Sequence, residues 1–186
     1  MGNPGDRYSA TRHNVGFRTL DVLAARFRRS FKKPFLKNYL FTQVDLGADR
    51  MFLVKPLTFM NNSGDIFPEI LKRTGAGLES ILVVCDTMDL TVGQCRVKRS
   101  GSAAGQKGLA SIIRRLGRQD FPRLYIGIGR PIHRDDVVRY VLSAAKGKEA
   151  VALEESVYRA AEAVVQLQKE GLEKVMNVFN RRAEGD

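Results

Sequence analysis

The sequence predicts an α/β fold in which a central mixed β-sheet is flanked by helices and followed by a helical C-terminal region. Two continuous apolar runs, ILVVCD at 81–86 and RLYIGIG at 123–129, are typical of strands covered on both faces. Segments with apolar residues at helical spacing lie before and between these runs, and a long one follows them. This interleaving indicates one α/β domain, which we expect to comprise residues 1–186.

The N-terminal half is predicted to contain a helix, a hairpin and a second helix. The stretch VGFRTLDVLAARFRRSF at 15–31 has arginines largely opposite its apolar residues, which indicates a basic amphipathic helix. FTQVDLG and RMFLVKP, separated by Ala48 and Asp49, predict a hairpin whose second strand ends at Pro56. NNSGDIFPEILKRTG at 61–75 predicts a turn and then a helix that stops at Gly75.

The C-terminal half is predicted to add a strand and three helices. QCRVK at 94–98 alternates as a strand does, and LASIIRRLG at 109–117 has helical spacing. DDVVRYVLS and the long segment at 149–171 are predicted helices, and the tail RRAEGD at 181–186 is expected to fray. The apolar face of the long helix is assigned to Ala152, Val157, Ala160, Ala161, Val164 and Leu167.

Composition and charge narrow the class of protein. With 31 Lys and Arg against 20 Asp and Glu, the net charge of +11 favours a polyanionic partner, most often nucleic acid. Cys85 and Cys95 are too few for a disulfide framework and fit a reducing compartment. No apolar run is long enough for a membrane span, and the N-terminus has no signal region. We therefore expect a cytoplasmic protein that does not bind membranes.

A glycine-rich segment, SGSAAGQKGL at 100–109, leads directly into a predicted helix. A helix start of this kind offers unpaired backbone N–H groups to an anion. Its sequence is nevertheless neither a P-loop, because Lys107 is followed by Gly108 and Leu109, nor a GxGxxG turn after a strand. Nucleotide binding is thereby set aside, and the roles of Gln106 and Lys107 stay open.

Candidate catalytic groups lie in loops or at the ends of elements. His13 comes between Arg12 and Asn14 just before a predicted helix, and Asp86 ends a buried strand. A histidine is the natural general base near neutral pH, and a carboxylate can hold its tautomer. Spacing alone leaves open whether His13 is catalytic, caps the helix or lies on the surface. The second histidine, His133, is predicted to be a surface residue.

Four asparagines accompany these groups: Asn3, Asn14, Asn61 and Asn62. Each one alone is common in turns for local reasons. As a set beside His13 they suit a site that grips carbonyl groups and a water. The sequence has no GxSxG elbow, and neither HExxH nor a His/Cys cluster is present. Water attack assisted by a base is therefore favoured, without a metal or cofactor.

Four motifs together resemble the bacterial-type peptidyl-tRNA hydrolases. They are GNPGDRYSATRHNVGF, KPLTFMNNSG, DTMDL followed by GQCRVKRSGSAAG, and RLYIGIGRP, in the order and spacing of that family. The resemblance implies hydrolysis of the ester that joins a peptide to the terminal ribose of tRNA, which frees the tRNA for reuse. The implied partner is a tRNA carrying a peptide, and we expect the enzyme to be a monomer.

The resemblance also implies roles for individual residues. His13 matches the general base, Asp86 the carboxylate that orients it, and Asn3 and Asn61 the amides that hold the peptide main chain. Further substrate contacts are predicted for Tyr8, Phe59 and Lys107, with Met60 beside Phe59 in the wall of the peptide crevice, and contacts to tRNA phosphate for Lys98 and Arg123.

Several departures from the family pattern stand beside these matches. The family's loop usually ends His-Asn-Gly, where this chain has Gln106 and Lys107 before Gly108, and Tyr125 replaces a frequent arginine. An alternative function therefore stays open, that of a non-catalytic relative that binds RNA as an adaptor. The family also places an apolar strand before its GNPG turn, and this sequence lacks it. A start codon assigned too late, a piece cut off and a compromised fold stay open as explanations, and the codons upstream would decide between them. If no such strand is encoded, we expect low solubility or an unstable fold.

Overall fold

The computed structural model describes residues 1–47 and 49–180, and within them the chain forms six α-helices and five β-strands. Short 3₁₀ helices at Asp6–Tyr8, Arg12–Asn14 and Met60–Ile66 carry several of the predicted site residues. None of the helices in this part of the chain is long and apolar enough to cross a membrane. In chain order the elements are α1 (Val15–Arg26), β1 (Tyr39–Leu46), β2 (Asp49–Pro56), α2 (Phe67–Thr74), β3 (Val83–Thr87), β4 (Cys95–Lys98), α3 (Lys107–Leu116), β5 (Arg123–Gly127), α4 (Val137–Val141), α5 (Gly147–Glu170) and α6 (Leu172–Phe179).

The central sheet is mixed, as predicted, and has the strand order β3-β5-β4. Strands β3 and β5 are parallel, with Cys85 opposite Tyr125. Strand β4 runs antiparallel to β5, with Lys98 opposite Arg123. The predicted hairpin is confirmed as a separate antiparallel pair of β1 and β2.

The two faces of the central sheet bury different helices. Because side chains alternate along a strand, Val84 and Ile126 point to one face, where they join a cluster with α1 and α5. Cys85 and Tyr125 point to the other face, where they pack with Leu109 and Ile112 of α3 and with Met60. The two apolar runs therefore form strands that are covered on both faces, as predicted.

Two helices end where the sequence predicted. Helices α2 and α3 are closed by Gly75 (φ 68°) and Gly117 (φ 67°), both in the left-handed conformation that glycine adopts without steric cost. Pro68 lies in the first turn of α2, where its missing N–H needs no partner.

Some boundaries differ from prediction, and one helix was not predicted. Helix α1 ends at Arg26 and not at residue 31, because Arg28 turns the chain at φ 52°. Asp49 belongs to strand β2, and Ala48 lies outside the described residues, as does the tail 181–186. The long C-terminal helix ends at Gly171 (φ 82°), as predicted, and the helix α6 that follows it was not predicted.

The apolar face of α5 is shifted slightly from the predicted one. Val157, Ala160, Ala161 and Val164 are buried as expected, whereas Ala152 and Leu167 are only half-buried. Additional buried positions are Leu153, Ser156, Ala163 and Val165. Helix α5 therefore buries a wider stripe than one amphipathic face predicts, because it packs against both α1 and the sheet.

Candidate active site

A cavity of about 500 Å³ opens beside the carboxyl end of β3. It brings together stretches that are far apart in sequence: the N-terminal turn, the segment before α2, the end of β3 and the glycine-rich loop before α3. Its lining includes Asn3, Tyr8, His13, Phe59, Asn61, Asp86, Lys98 and Lys107, which are all the predicted site residues except Arg123.

His13 and Asp86 are in direct contact at the base of this cavity. The His13 Nδ1 and Asp86 Oδ2 atoms are 2.8 Å apart. The Asp86 side chain is 4% exposed and the His13 side chain 14%. Because a carboxylate only accepts, Nδ1 carries the proton, and Nε2 is left as the basic nitrogen. The pair is arranged as a general base with its orienting carboxylate.

Buried contacts fix the turn that carries His13. The neighbouring Arg12 is buried and donates to the Ser143 hydroxyl (2.8 Å) and to the Ala144 carbonyl (2.9 Å). It also pairs with Glu149 at 2.7 Å, which ties the turn to the start of α5. Charge-assisted bonds of this kind are the strong ones, so the imidazole sits on a restrained backbone.

Gln106 forms a hydrogen bond with the second oxygen of the Asp86 carboxylate. Its Nε2 donates to Asp86 Oδ1 at 3.0 Å, while its Oε1 accepts from the backbone N–H groups of Gly108 (2.5 Å) and Leu109 (3.0 Å). Gln106 is thus the N-cap of α3 and, at the same time, a hydrogen-bond donor to the Asp86 carboxylate. The N–H groups at the start of α3 need an acceptor, which is the Oε1 atom of Gln106. The Nε2 atom of the same amide therefore faces Asp86.

The four asparagines have different roles. Asn14 is buried and holds the N-terminal turn, since its Oδ1 accepts from the Asn3 N–H (2.8 Å) and its Nδ2 donates to the Asn3 carbonyl (2.9 Å). Asn3 in turn accepts from the Met60 N–H at 2.8 Å through Oδ1, and its Nδ2 meets no acceptor among the described residues. Asn61 is exposed and lines the cavity, whereas Asn62 lies outside it.

Basic side chains surround the mouth of the cavity. Lys107 and Lys98 are exposed and line it, and the Lys98 ammonium lies 5.9 Å from the centre of the Tyr125 ring. Arg96 and Arg130 also line it, and neither was predicted. Arg96 was detectable in principle, because it lies two residues before Lys98 and therefore on the same face of β4.

Arg123 is not part of this site, which corrects its assignment to tRNA phosphate. Its side chain is fully buried and lies over the Phe121 ring at 4.3 Å. None of its three guanidinium nitrogens has a hydrogen-bond partner among the described residues, and desolvation lowers the pKa of the group. Arg123 lies two residues before Tyr125 and so on the same face of β5, but that face is covered at residue 123.

One wall of the cavity is apolar. Phe59, 56% exposed, lies on one side, with the half-buried Tyr8 across the N-terminal turn. Helix α4 supplies residues that sequence reasoning missed: Val137, Val138, Val141 and the following Leu142. A five-residue helix carries too little periodic signal to reveal which of its faces meets a site.

The cysteines are not candidates for a nucleophile. Cys85, beside Asp86, is fully buried, and desolvation raises the pKa of its thiol. Burial also raises the pKa of the Cys95 thiol to about 11. Because the thiolate is the reactive form, both side chains act as buried packing groups. His133 is exposed, also as predicted.

Comparisons with known proteins agree on one family. A family model described as "Peptidyl-tRNA hydrolase" matches residues 1–185. A curated peptidyl-tRNA hydrolase from Desulfitobacterium hafniense (strain Y51) is 42% identical over 97% of this chain and 97% of its own length. One from Hydrogenobaculum sp. (strain Y04AAS1) is 38% identical over 98% and 96% of the two chains.

Solved structures lead to the same group. A crystal structure of a peptidyl-tRNA hydrolase in complex with N-propanol has a TM-score of 0.92 and 29% identity, covering 100% of this chain and 94% of that one. The peptidyl-tRNA hydrolase from Acinetobacter baumannii has a TM-score of 0.90 and 30% identity, covering 96% and 91% of the two chains.

Proposed function

Because the chain belongs to the peptidyl-tRNA hydrolase family, we propose that the cavity around His13 hydrolyses the ester between peptide and tRNA with a water activated by this histidine. The chain is an enzyme of that family, and peptidyl-tRNA is the substrate that the family implies. The observation that carries the mechanism is the 2.8 Å contact between His13 Nδ1 and Asp86 Oδ2 in the cavity.

Water activation uses the free side of the imidazole. Nε2 of His13 takes a proton as the water oxygen attacks the ester carbonyl, and the buried Asp86 carboxylate stabilises the imidazolium that forms. The imidazolium then returns the proton to the departing ribose oxygen. The ester has a tolerable alkoxide leaving group, so the reaction needs no covalent intermediate and no metal.

Amide and ammonium groups face the other side of the reacting carbon. The side-chain oxygen Oδ1 of Asn3 accepts from the Met60 N–H, so the Asn3 Nδ2 is the group presented to a substrate carbonyl. Asn61 adds a second, exposed amide. Lys107 and Lys98 place positive charge where the terminal phosphates of tRNA and the developing oxyanion carry negative charge. Phe59 and Tyr8 form the wall for the peptide.

The adaptor alternative is not supported. The curated relatives over nearly the whole chain are named as hydrolases, and a module that only binds RNA has no use for a histidine held against a carboxylate. The altered loop supplies Gln106 to that carboxylate and so retains the arrangement. We also propose that residues 1–186 act as one monomeric, cytoplasmic domain, which size-exclusion chromatography with light scattering tests for mass.

The deciding experiment is a single-turnover cleavage assay with peptidyl-tRNA. His13→Ala removes the general base, and the rate is expected to fall by about 10²- to 10⁴-fold. His133→Ala changes the chain's other, exposed histidine and serves as the matched control, with a rate within twofold of the wild type. If His13→Ala and the wild type cleave at the same rate, the mechanism is wrong.

A further inference from the structure

A second concave surface lies at the far end of α1 from the catalytic histidine. This groove of about 730 Å³, here termed the α1 groove, is lined by Arg28, Arg29, Ser30, Lys32, Lys33, Pro34, Phe41, Thr42, Gln43, Asp45 and Arg73. Five of these side chains are cationic and one is a carboxylate. No carboxylate among the described residues pairs with Arg28, Lys32 or Lys33, whereas Arg29 pairs with Asp45 at 2.7 Å.

Backbone contacts restrain the loop that carries most of the cations of the α1 groove. The Lys32 and Phe41 backbones exchange two hydrogen bonds, of 3.0 and 2.9 Å, which dock the loop after α1 onto β1. Arg28 (φ 52°) and Leu36 (φ 56°) adopt the left-handed conformation, which costs a non-glycine residue about 1 kcal/mol. The Arg73 guanidinium lies over the Phe41 ring at 4.7 Å. Like charges are thus assembled against their mutual repulsion, an arrangement that a bound polyanion stabilises.

The two arginines within α1 itself form ion pairs inside the protein. Arg18 pairs with Glu154 and Arg26 with Glu162, both acidic residues of α5. The basic helix predicted from the sequence therefore does not present one continuous charged face. The arginines within the helix form ion pairs, and the unpaired cations lie in the segment that follows it. This contrast separates the α1 groove from an ordinary solvated basic surface.

We infer that the α1 groove binds the phosphate backbone of the tRNA part of the substrate, at a distance from the ester. Three guanidinium groups suit phosphate oxygens, and a concave site fits a sugar–phosphate strand. Phe35, which follows the lining residue Pro34 in the chain, is 87% exposed and offers a ring on which a base can stack. Because the 12 residues of α1 span about 18 Å, a nucleic acid held at His13 reaches the groove after several nucleotides.

This inference rests on the proposed function and is tested apart from it. The triple variant Arg28→Gln/Lys32→Gln/Lys33→Gln, termed the groove triple, removes three exposed charges from the α1 groove. The triple variant Arg114→Gln/Arg115→Gln/Lys148→Gln, termed the control triple, removes three exposed charges from residues that line neither cavity. For peptidyl-tRNA, the groove triple is expected to raise KM about tenfold with kcat unchanged. The salt dependence of uncharged-tRNA affinity should become shallower by about 2 in log–log slope. The control triple is expected to change KM less than threefold.

The outcomes separate the two hypotheses. If neither KM nor uncharged-tRNA affinity distinguishes the two triples, the inference is overturned while cleavage by the wild type still upholds the proposed function. If the wild type fails to cleave peptidyl-tRNA, the affinity for uncharged tRNA still tests the groove. The exposed Phe35 and Leu36 side chains beside lysines also fit an anionic membrane, which binding to phosphatidylserine vesicles tests. The inference is overturned if the groove triple loses vesicle binding, the control triple keeps it, and the tRNA affinity of the groove triple is unchanged. Matching melting temperatures confirm that both triples fold.

Discussion

Shortening Gln106 by one methylene separates its two roles. Asparagine is among the best N-cap residues, so Gln106→Asn keeps an acceptor for the first turn of α3. Its amide nitrogen, however, falls short by about one carbon–carbon bond of 1.5 Å. The present 3.0 Å bond from Gln106 Nε2 to Asp86 Oδ1 is therefore lost. We expect a folded enzyme in which one oxygen of the catalytic carboxylate has no protein donor.

The size of the effect follows from the charge of the acceptor. A hydrogen bond to a charged group contributes about 1.5–3 kcal/mol. If it is lost from the transition state, in which the imidazolium depends on a correctly placed Asp86, kcat falls by about 10- to 100-fold. The melting temperature should stay within a few degrees of the wild type, because the cap is retained. Gln106→Ala removes both roles and should lower both kcat and stability.

A carboxyl group at the same position gives a sharper pH signature. In Gln106→Glu one carboxyl oxygen takes the capping bonds, and the other lies about 3 Å from Asp86 Oδ1, where two unit charges repel by about 5 kcal/mol at an effective dielectric constant of 20. This repulsion raises the pKa of the new carboxyl. Activity should therefore decline as the pH rises through that value, whereas the wild-type amide does not titrate.

The assay is kcat for peptidyl-tRNA from pH 5.5 to 8.5, beside thermal melting of the same samples. The wild type, Gln106→Asn and Gln106→Glu are compared at each pH. Two results contradict the reasoning: full activity in Gln106→Asn, or pH profiles of equal shape for the wild type and Gln106→Glu. Either one shows that the contact with Asp86 is not used in the reaction.

Two other perturbations test the charge at the cavity and the burial of the N-terminus. Lys107→Asn removes an exposed cation from the cavity wall, and kcat/KM for peptidyl-tRNA should fall about fivefold, the effect of one exposed charge pair; an unchanged rate and tRNA affinity would remove Lys107 from the site. In a polypeptide with a free Met1 amine, burial lowers its pKa from 8.0 to about 6. The unfolded state then binds more protons between these values, so the unfolding free energy should rise by about 2 kcal/mol from pH 6 to 8. Urea denaturation measures this rise, which N-terminal acetylation should abolish.

The predictable part of the fold is the part that local chemistry decides. The runs around Val84 and Ile126 are apolar on both faces, and this predicts strands covered on both sides wherever the helices lie. Gly75 and Gly117 end helices because the left-handed conformation suits glycine. The length of α1 was not predictable in the same way, since Arg28 adopts φ 52° against its own preference. Such a turn depends on docking of the following loop onto β1, which is a tertiary contact.

The sequence predicted most residues of the candidate site, but it did not predict which of the side chains would be buried. His13 and Asp86 were paired because a histidine in a loop and a carboxylate at a strand end suit one chemistry, and they lie 2.8 Å apart. Arg123 shows the limit of the same logic. Alternation along β5 gives the face of a side chain, but β5 is the middle strand and that face is covered at residue 123. Periodicity determines direction, whereas exposure depends on which element packs above.

The glutamine at residue 106 also explains how the departure from the family loop is compatible with catalysis. A side chain there must accept from the first N–H groups of α3 and donate to Asp86, and a primary amide does both without changing charge. An imidazole at this position adds a group that titrates near neutral pH. With Gln106 in place, His13 is the only histidine that lines the cavity among the residues that the structure describes. We therefore assign the activation of water to that imidazole alone.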